Sequence, residues 1–333
     1  MRSLFLGSAV ERSGKTMVTL GLAKNFPGKV GFFKPFKETL MALDGRVIDQ
    51  DAYLMKKVLG LPQTEEVLSP FTYDMEKPVE MDLIISSYEK LKCKCDLMLI
   101  EGTREITTGF LNDVSGMAIA ENTQSDVVLI SRARSSDLDK IAMLKHMMRR
   151  YKVNFRGVIL NMNDDPSVPK MLESKHIQVL GSIPPLKELC RFNVKEVADA
   201  LGATVIVAED HMDKIVEEVM VGAMTPETAL RTMRRFANKA IITGGDRSDI
   251  QMAALSTDTS CLVLTGGLYP DRQVVAKAYD LGVPILLTRQ DTLNASETIE
   301  HLIARIDPDD TEKIELVART VKEHVDLDAV YSE

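Results

Sequence analysis

The sequence predicts an α/β protein in two parts, a parallel-sheet domain followed by a second, smaller α/β domain. Three observations carry that expectation. Short apolar runs alternate with helix-period segments, the pattern of βαβ units. The first run, Ser3-Leu4-Phe5-Leu6, leads into Gly14-Lys15-Thr16 at the start of a helical segment. Late in the chain Ala240-Ile241-Ile242-Thr243-Gly244-Gly245-Asp246 is echoed by Leu262-Val263-Leu264-Thr265-Gly266-Gly267-Leu268.

Strands are predicted at Ser3–Leu6, Lys29–Phe33, Asp96–Ile100, Asp126–Ile130, Phe155–Leu160 and Gln178–Ser182. Continuous runs such as Leu97-Met98-Leu99-Ile100 read as strands buried on both faces. Helices are predicted at Lys15–Lys24, Asp51–Leu59, Met81–Lys92, Asn112–Glu121, Leu138–Tyr151 and Val168–Ser174. Pro184-Pro185 stops the pattern, and a linker runs to about Val194. The first domain is therefore set at 1–190 and the second at 194–325.

In the second domain strands are expected at Thr204–Val207, Lys239–Ile242, Cys261–Leu264 and Pro284–Leu287. Helices are expected at Asp213–Val219, Pro226–Phe236, Asp249–Leu255, Arg272–Leu281 and Asp291–Arg305, with Glu312–His324 as a closing amphipathic helix. Thr225-Pro226 marks a helix start, Thr as N-cap and Pro at the first helical position.

The composition narrows the function class. With 333 residues, 45% of them hydrophobic and 27% charged, the chain falls in the range of soluble globular proteins. No run approaches the roughly 18 apolar residues of a membrane span. The N-terminus enters a strand without signal-peptide architecture, so a cytoplasmic protein is expected. A net charge of −8 argues against nonspecific nucleic-acid or membrane-surface binding. Cys93-Lys94-Cys95 lacks metal-ligand spacing, and the four cysteines read as reduced thiols.

The residues that could carry chemistry cluster at strand ends. Ser13, Gly14, Lys15 and Thr16 make a helix N-terminal turn of the phosphate-cradling (P-loop) type. Lys15 would reach the phosphates of ATP and the Thr16 hydroxyl would hold Mg²⁺. The usual spacing puts a first glycine at position 9, which is Ala9. Glu101, ending its strand, supplies a second magnesium or water anchor. Lys34, or Lys37 close by, can neutralise a transferring phosphate or an anionic substrate. Asp51 is a candidate Mg²⁺ ligand, although Asp49 or Asp51 can equally favour a helix N-terminus. Asn161 could read the adenine edge or serve an ordinary turn, with Asn163 a near equivalent.

In the second domain Gly244, Gly245, Asp246, Arg247, Asp249, Gly266 and Gly267 form two glycine-rich turns at neighbouring strand ends, where open α/β sheets bind ligands. Arg247 offers a five-donor fork to an anion, or pairs with Asp246 or Asp249 in a structural cap. The glycines also fit a purely structural role in tight turns.

Ser8-Ala9-Val10-Glu11-Arg12-Ser13-Gly14-Lys15-Thr16, Lys34-Pro35, Asp51-Ala52, Glu101-Gly102, Gly157-Val158-Ile159-Leu160-Asn161 and Gly181-Ser182-Ile183-Pro184 together resemble the dethiobiotin synthetase and cobyrinate amidase branch of P-loop proteins. Its altered loop places its first glycine at Ser8. The resemblance implies that Lys15 and Thr16 bind ATP and Mg²⁺, that Asp51 and Glu101 bind metal, and that Lys34 contacts the reacting carboxylate or carbamate. Gly222-Ala223-Met224-Thr225-Pro226, Thr243–Ile250, Thr265-Gly266-Gly267 and Gly282-Val283-Pro284 are similar to the DRTGG domain. The pair resembles the N-terminal half of long phosphate acetyltransferases. Those enzymes continue into an acetyltransferase domain where this chain ends, so that activity is not expected here.

Glu101-Gly102 leads into Thr103-Arg104-Glu105-Ile106 instead of the glycine-rich substrate loop of dethiobiotin synthetases. None of the four cysteines sits as the glutaminase nucleophile of the amidases does. The expectation is a Mg-ATP-binding, nucleotide-responsive regulatory module with weak or no hydrolysis, linked to central or cofactor metabolism. A small anionic ligand is expected in the second domain. The module would act on itself, as a homodimer, or on a metabolic enzyme. The competing expectation is an ATP-dependent ligase that phosphorylates a carboxylate or carbamate.

Overall fold

The computed structural model describes residues 2–92, 95–303 and 306–332. The chain divides into two units, Met1–Pro185 with Ile306–Glu333, and Leu186–Arg305.

The first unit is built on β1 (Arg2–Ser8), α1 (Lys15–Asn25) and β2 (Val30–Phe33), followed by a hairpin of β3 (Leu40–Leu43) and β4 (Arg46–Asp49) that opens α2 (Gln50–Leu59). Then come α3 (Met81–Lys92), β5 (Leu97–Glu101), α4 (Gly116–Asn122), β6 (Asp126–Ser131), α5 (Ser135–Met148), β7 (Phe155–Leu160), α6 (Ser167–Ser174) and β8 (Val179–Ser182). Six strands form one sheet in the order β8-β7-β6-β1-β5-β2, and every pairing is parallel. All five residues of β5 are buried, as its unbroken apolar run requires of a strand covered on both faces. Each strand expected in this domain is present. The helix expected from Asn112 starts later, because Ser115 accepts the Ala118 N–H and caps it there.

The second unit contains α7 (Val194–Leu201), β9 (Thr204–Val207), β10 (Glu218–Val221), α8 (Pro226–Met233), β11 (Lys239–Gly244), α9 (Ser248–Ala254), β12 (Thr259–Thr265), α10 (Arg272–Asp280), β13 (Ile285–Leu287) and α11 (Thr292–Ile303). Its sheet runs β9-β13-β12-β11-β10. It is parallel except for the antiparallel β9. The helix expected over Asp213–Val219 is absent. Ile215, Val216, Val219 and Met220 fall at a helix-like spacing, but the β-branched run pairs as strand: Glu218–Val221 lies parallel to Lys239–Ile242, and Val216 pairs with Phe192. Sheet pairing overrides the local period.

The closing helix also departs from expectation. Residues from Ile306 return to the first unit as α12 (Thr311–His324) and α13 (Leu327–Tyr331), whereas the sequence reading ran the second domain to 325. Side chains dictate the return. Val321, Val325, Val330 and Tyr331 join the core around Leu4, Leu6, Val18 and Leu22. The Tyr331 hydroxyl donates to Leu22 O at 2.6 Å, and Asn25 Nδ2 donates to Ala318 O at 2.7 Å. Covered by α12, α1 buries most of its surface and carries little apolar stripe of its own.

Candidate functional site in the first unit

The carboxyl ends of β2, β1, β5, β6 and β7 lie side by side, and the residues after them make the site. Strand β1 hands over to the loop 9–14, anchored where Ala9 N–H meets Ile130 O at 3.2 Å. Arg12 (φ 53°) and Gly14 (φ 79°) take left-handed backbone, the alternation that forms anion-binding concavities of successive N–H groups. Gly14 is the N-cap of α1, which has no side-chain cap and no acid in its first turn. Its positive helix end is left without a protein counter-charge. Ser8, standing where the first glycine of the altered loop would be, shares a 2.7 Å hydroxyl hydrogen bond with Ser13.

Asn161 has a different role from base reading in this structure. Its Nδ2 donates to Ser13 O at 2.9 Å and its Oδ1 accepts the Met162 N–H at 3.0 Å. The side chain is buried, and a Cβ on Gly14 would lie 2.0 Å from its Nδ2. It buttresses the loop from beneath. Asn163 is likewise engaged, with Asp165 O and Ser182 Oγ.

Lys15 Nζ donates to Thr103 O at 2.8 Å and lies 3.8 Å from Glu38 Oε2. Thr16 Oγ1 donates to Glu101 Oε1 at 3.1 Å. Lys34, fully buried at 0% exposure, pairs with Asp51, with Asp49 at 3.1 Å and with Glu38 at 3.9 Å. Sequence reasoning had left Lys34 and Asp51 as separate candidates; here they are one ion pair. Asp49, read as a helix-start acid, does that and more. Its Oδ1 accepts the Asp51 and Ala52 N–H groups, and its Oδ2 accepts that of Glu38 at 2.9 Å. Asp49 and Glu38 are the site residues whose part was missed. The available signal was Leu40-Met41-Ala42-Leu43-Asp44-Gly45-Arg46-Val47-Ile48-Asp49: Asp-Gly between two apolar runs is a hairpin turn. Asp44 and Gly45 both have positive φ, and the hairpin delivers Asp49 to the site.

Electrostatics follow from burial. Burial pushes the Lys34 ammonium down, but Asp51, Asp49, Glu101 and Glu38 outweigh it and hold the pKa well above the usual lysine value. Burial pushes Asp51 up; the Lys34 charge and hydrogen bond, Lys15 and Thr16 together bring it below the usual value. Glu101 is pushed up to about 7, by burial first and then by the Asp51 charge, against Lys34 and Lys15. Its Oε2 is buried with no hydrogen-bond partner, which is costly for a carboxylate.

That orphaned oxygen, beside a threonine hydroxyl, suits a hard cation. Four carboxylates (Glu38, Asp49, Asp51, Glu101) face two lysines (Lys15, Lys34), an excess of two negative charges that a divalent ion would balance. Among the described residues no group of three or more His, Cys, Asp or Glu could hold a metal unaided. Mg²⁺ in phosphate sites needs less, since it takes one or two protein oxygens together with phosphates and waters. Thr16 and Glu101, with Asp51 alongside, fit that donor set.

Glu101 gives a pH signature. In metal-free protein its raised pKa makes folding uptake a proton between about 4.5 and 7, so its penalty is absent below about 4.5 and complete above about 7. At ~1.4 kcal/mol per pKa unit the penalty is on the order of 3 kcal/mol. With chelator present, Glu101→Gln should therefore gain stability over wild type as pH rises from 5 to 8, measured by denaturant unfolding. A pH-independent difference would contradict the assignment.

In the second unit the two glycine turns do stand at the ends of neighbouring strands β11 and β12. Arg247 meets Asp249 through two hydrogen bonds, Nε to Oδ1 at 3.0 Å and Nη2 to Oδ2 at 3.1 Å, and both side chains remain partly exposed. Gln251 Nε2 donates to Gly244 O and Gly245 O. A Cβ on Gly245 would lie 1.8 Å from Leu268 O, so close backbone approach demands glycine there. Asp246 Oδ1 lies 2.4 Å from where a Cβ on Gly244 would stand. The Gly266 and Gly267 N–H groups go to Gln290 O and Thr288 O, each at 2.9 Å. These contacts build the turns. Of the cysteines, Cys93 and the Cys190 side chain lie outside the described residues. Cys95 and Cys261 are free thiols, and burial pushes Cys261 up to about 12. No described helix is long and apolar enough to cross a membrane.

Comparison with known proteins places these features. A family model described as an AAA domain (AAA_26) matches residues 2–192, and a DRTGG domain model matches 196–302. The ATP-dependent dethiobiotin synthetase of Nitrosopumilus maritimus is 26% identical over 217 residues, 59% of this chain and 95% of the relative. The phosphate acetyltransferase of Nitratidesulfovibrio vulgaris is 24% identical over 361 aligned residues, 97% of this chain and 50% of the relative. This chain thus spans about half the length of the phosphate acetyltransferase it matches. Among solved structures, the septum site-determining protein MinD of Pyrococcus horikoshii, complexed with Mg-ADP, is 17% identical over 57% of this chain and 83% of its own, with a TM-score of 0.39.

Proposed function

We propose, on the premise that the chain belongs to the AAA domain (AAA_26) family, that its first unit binds Mg-ATP and that the protein is a nucleotide-responsive regulatory module rather than a biosynthetic ligase. In this reading the loop 9–14 and Lys15 take the phosphates, and Thr16 with Glu101 holds the Mg²⁺ that neutralises phosphate charge. Lys15 has only to exchange the Thr103 carbonyl for a phosphate oxygen. The second unit takes a small anionic ligand at its glycine turns, and the output, on the protein itself or a metabolic enzyme, serves central or cofactor metabolism.

One observation carries the choice. Lys34, the lysine that a carboxylate-activating enzyme would present to its substrate, is fully buried and committed to Asp51, Asp49 and Glu38. A ligase needs that cation free for a negative substrate group. The segment 103–106 also departs from a substrate loop: Ile106 N–H closes on Ser8 O at 2.8 Å, and Thr103 holds Lys15. The presence of Lys34, Asp51 and Glu101 together favours the ligase alternative, in which Lys15 and Lys34 stabilise charge on the transferring phosphoryl group.

ATP turnover decides between them. We expect Mg-ATP to bind with hydrolysis that stays slow and unchanged when a panel of mono- and dicarboxylates or carbamates is added. Stimulation of tenfold or more by one of them, lost in Lys15→Ala, would establish the ligase instead.

A further inference from the structure

Glu38 stands where a ligand anion would be drawn. Its Oε2 lies between two ammonium groups, 3.8 Å from Lys15 Nζ and 3.9 Å from Lys34 Nζ. Both separations exceed a hydrogen bond, so the oxygen acts on the pair as a shared counter-ion. The residue is held from two sides. Its N–H donates to Asp49 Oδ2 at 2.9 Å, and its Oε1 accepts the Arg104 N–H at 2.5 Å. The first contact ties it to the end of β4, the second to the segment following β5.

Neither anchor is needed for folding of the loop 9–14, and neither lysine needs Glu38 as its main partner. Lys34 already has Asp49 and Asp51, and Lys15 already has Thr103 O. What the carboxylate does is occupy, with a negative charge, the position between the phosphate-facing lysine and the buried one. A second anion there would face it at close range, in a setting where water screens little.

We propose that Glu38 is a specificity-determining residue: its carboxylate fills the anion slot between Lys15 and Lys34 and excludes a free carboxylate or inorganic phosphate from it. The inference deepens the regulatory reading and rests on it, since a ligase would need that slot for its acid substrate. An internal anion makes the site a receiver of nucleotide alone.

The test uses inorganic phosphate as probe, titrated calorimetrically into the full chain, first alone and then with saturating Mg-ADP. Wild type should show no phosphate-dependent change in Mg-ADP affinity. Glu38→Ala, and Glu38→Gln, which keeps the shape and removes the charge, should bind phosphate at least tenfold more tightly than wild type. That gain should vanish when Lys15→Ala is added. Equal phosphate affinity in wild type and in folded variants, checked by circular dichroism, overturns the proposal. So does phosphate that tightens Mg-ADP binding to wild type, a result that needs no variant. Failure of wild type to bind Mg-ADP at all contradicts the nucleotide reading separately, while the phosphate titration without nucleotide still decides the role of Glu38.

Discussion

Lys34→Ala should cost the first unit about 3–5 kcal/mol, the loss expected when one partner of a buried ion pair is removed. In a domain of roughly 150–250 residues that lowers Tm by about 6–20 °C, readable by scanning calorimetry. The reason is local and specific. Asp49 is wholly buried, Asp51 and Glu101 are nearly so, and Lys34 is the cation they share. Without it, three carboxylates would face one another with Lys15 alone to balance them. Lys34→Met should lose about as much as Lys34→Ala although it retains an apolar stem, which separates lost charge from lost packing. The deficit should shrink in acid, where Asp51 and Glu101 can protonate. A variant as stable as wild type at pH 8 would show that Lys34 does not organise the cluster, and the argument against a free substrate lysine would go with it.

Lys15→Ala should have the largest effect on binding. A hydrogen bond to a charged partner contributes about 1.5–3 kcal/mol, so nucleotide affinity should fall roughly 10–100-fold. Stability should change little by comparison, because Lys15 loses only the Thr103 carbonyl and a 3.8 Å approach to Glu38. The pattern to look for is therefore opposite in the two lysines: Lys34 holds the site together, and Lys15 holds the ligand. Equal losses of stability in the two variants would contradict that division. The comparison needs only thermal melts and ADP titrations on the same preparations.

Much of this was readable in the sequence. Buried parallel strands announce themselves as unbroken apolar runs, and Leu97–Ile100 and Val127–Ile130 could hardly be anything else. The Gly14-Lys15-Thr16 turn was equally plain, since strand, glycine and helix follow in order. The missing parts are those decided by pairing at a distance. Glu218–Val221 is a strand because β11 lies beside it, and no local period could say so. The Asp44-Gly45 hairpin had a local signal, and with it came Asp49 and Glu38, whose importance lies in what they touch. Asn161 shows the same limit from the other side. Its place after β7 was legible, but only the structure shows its amide spent on Ser13 and Met162. The return of α12 and α13 to the first unit rests on the Leu22, Ala318 and Tyr331 contacts, some 300 residues apart in sequence.

The central claim is that the loop 9–14, Lys15, Thr16 and Glu101 form a Mg-nucleotide site. Calorimetric titration of ADP into the full chain, with Mg²⁺ and with chelator, tests it most directly. The account predicts binding at one equivalent, weakened at least tenfold by chelation in wild type and by Lys15→Ala with Mg²⁺ present. No binding under either condition, or binding indifferent to both Mg²⁺ and Lys15, would contradict it.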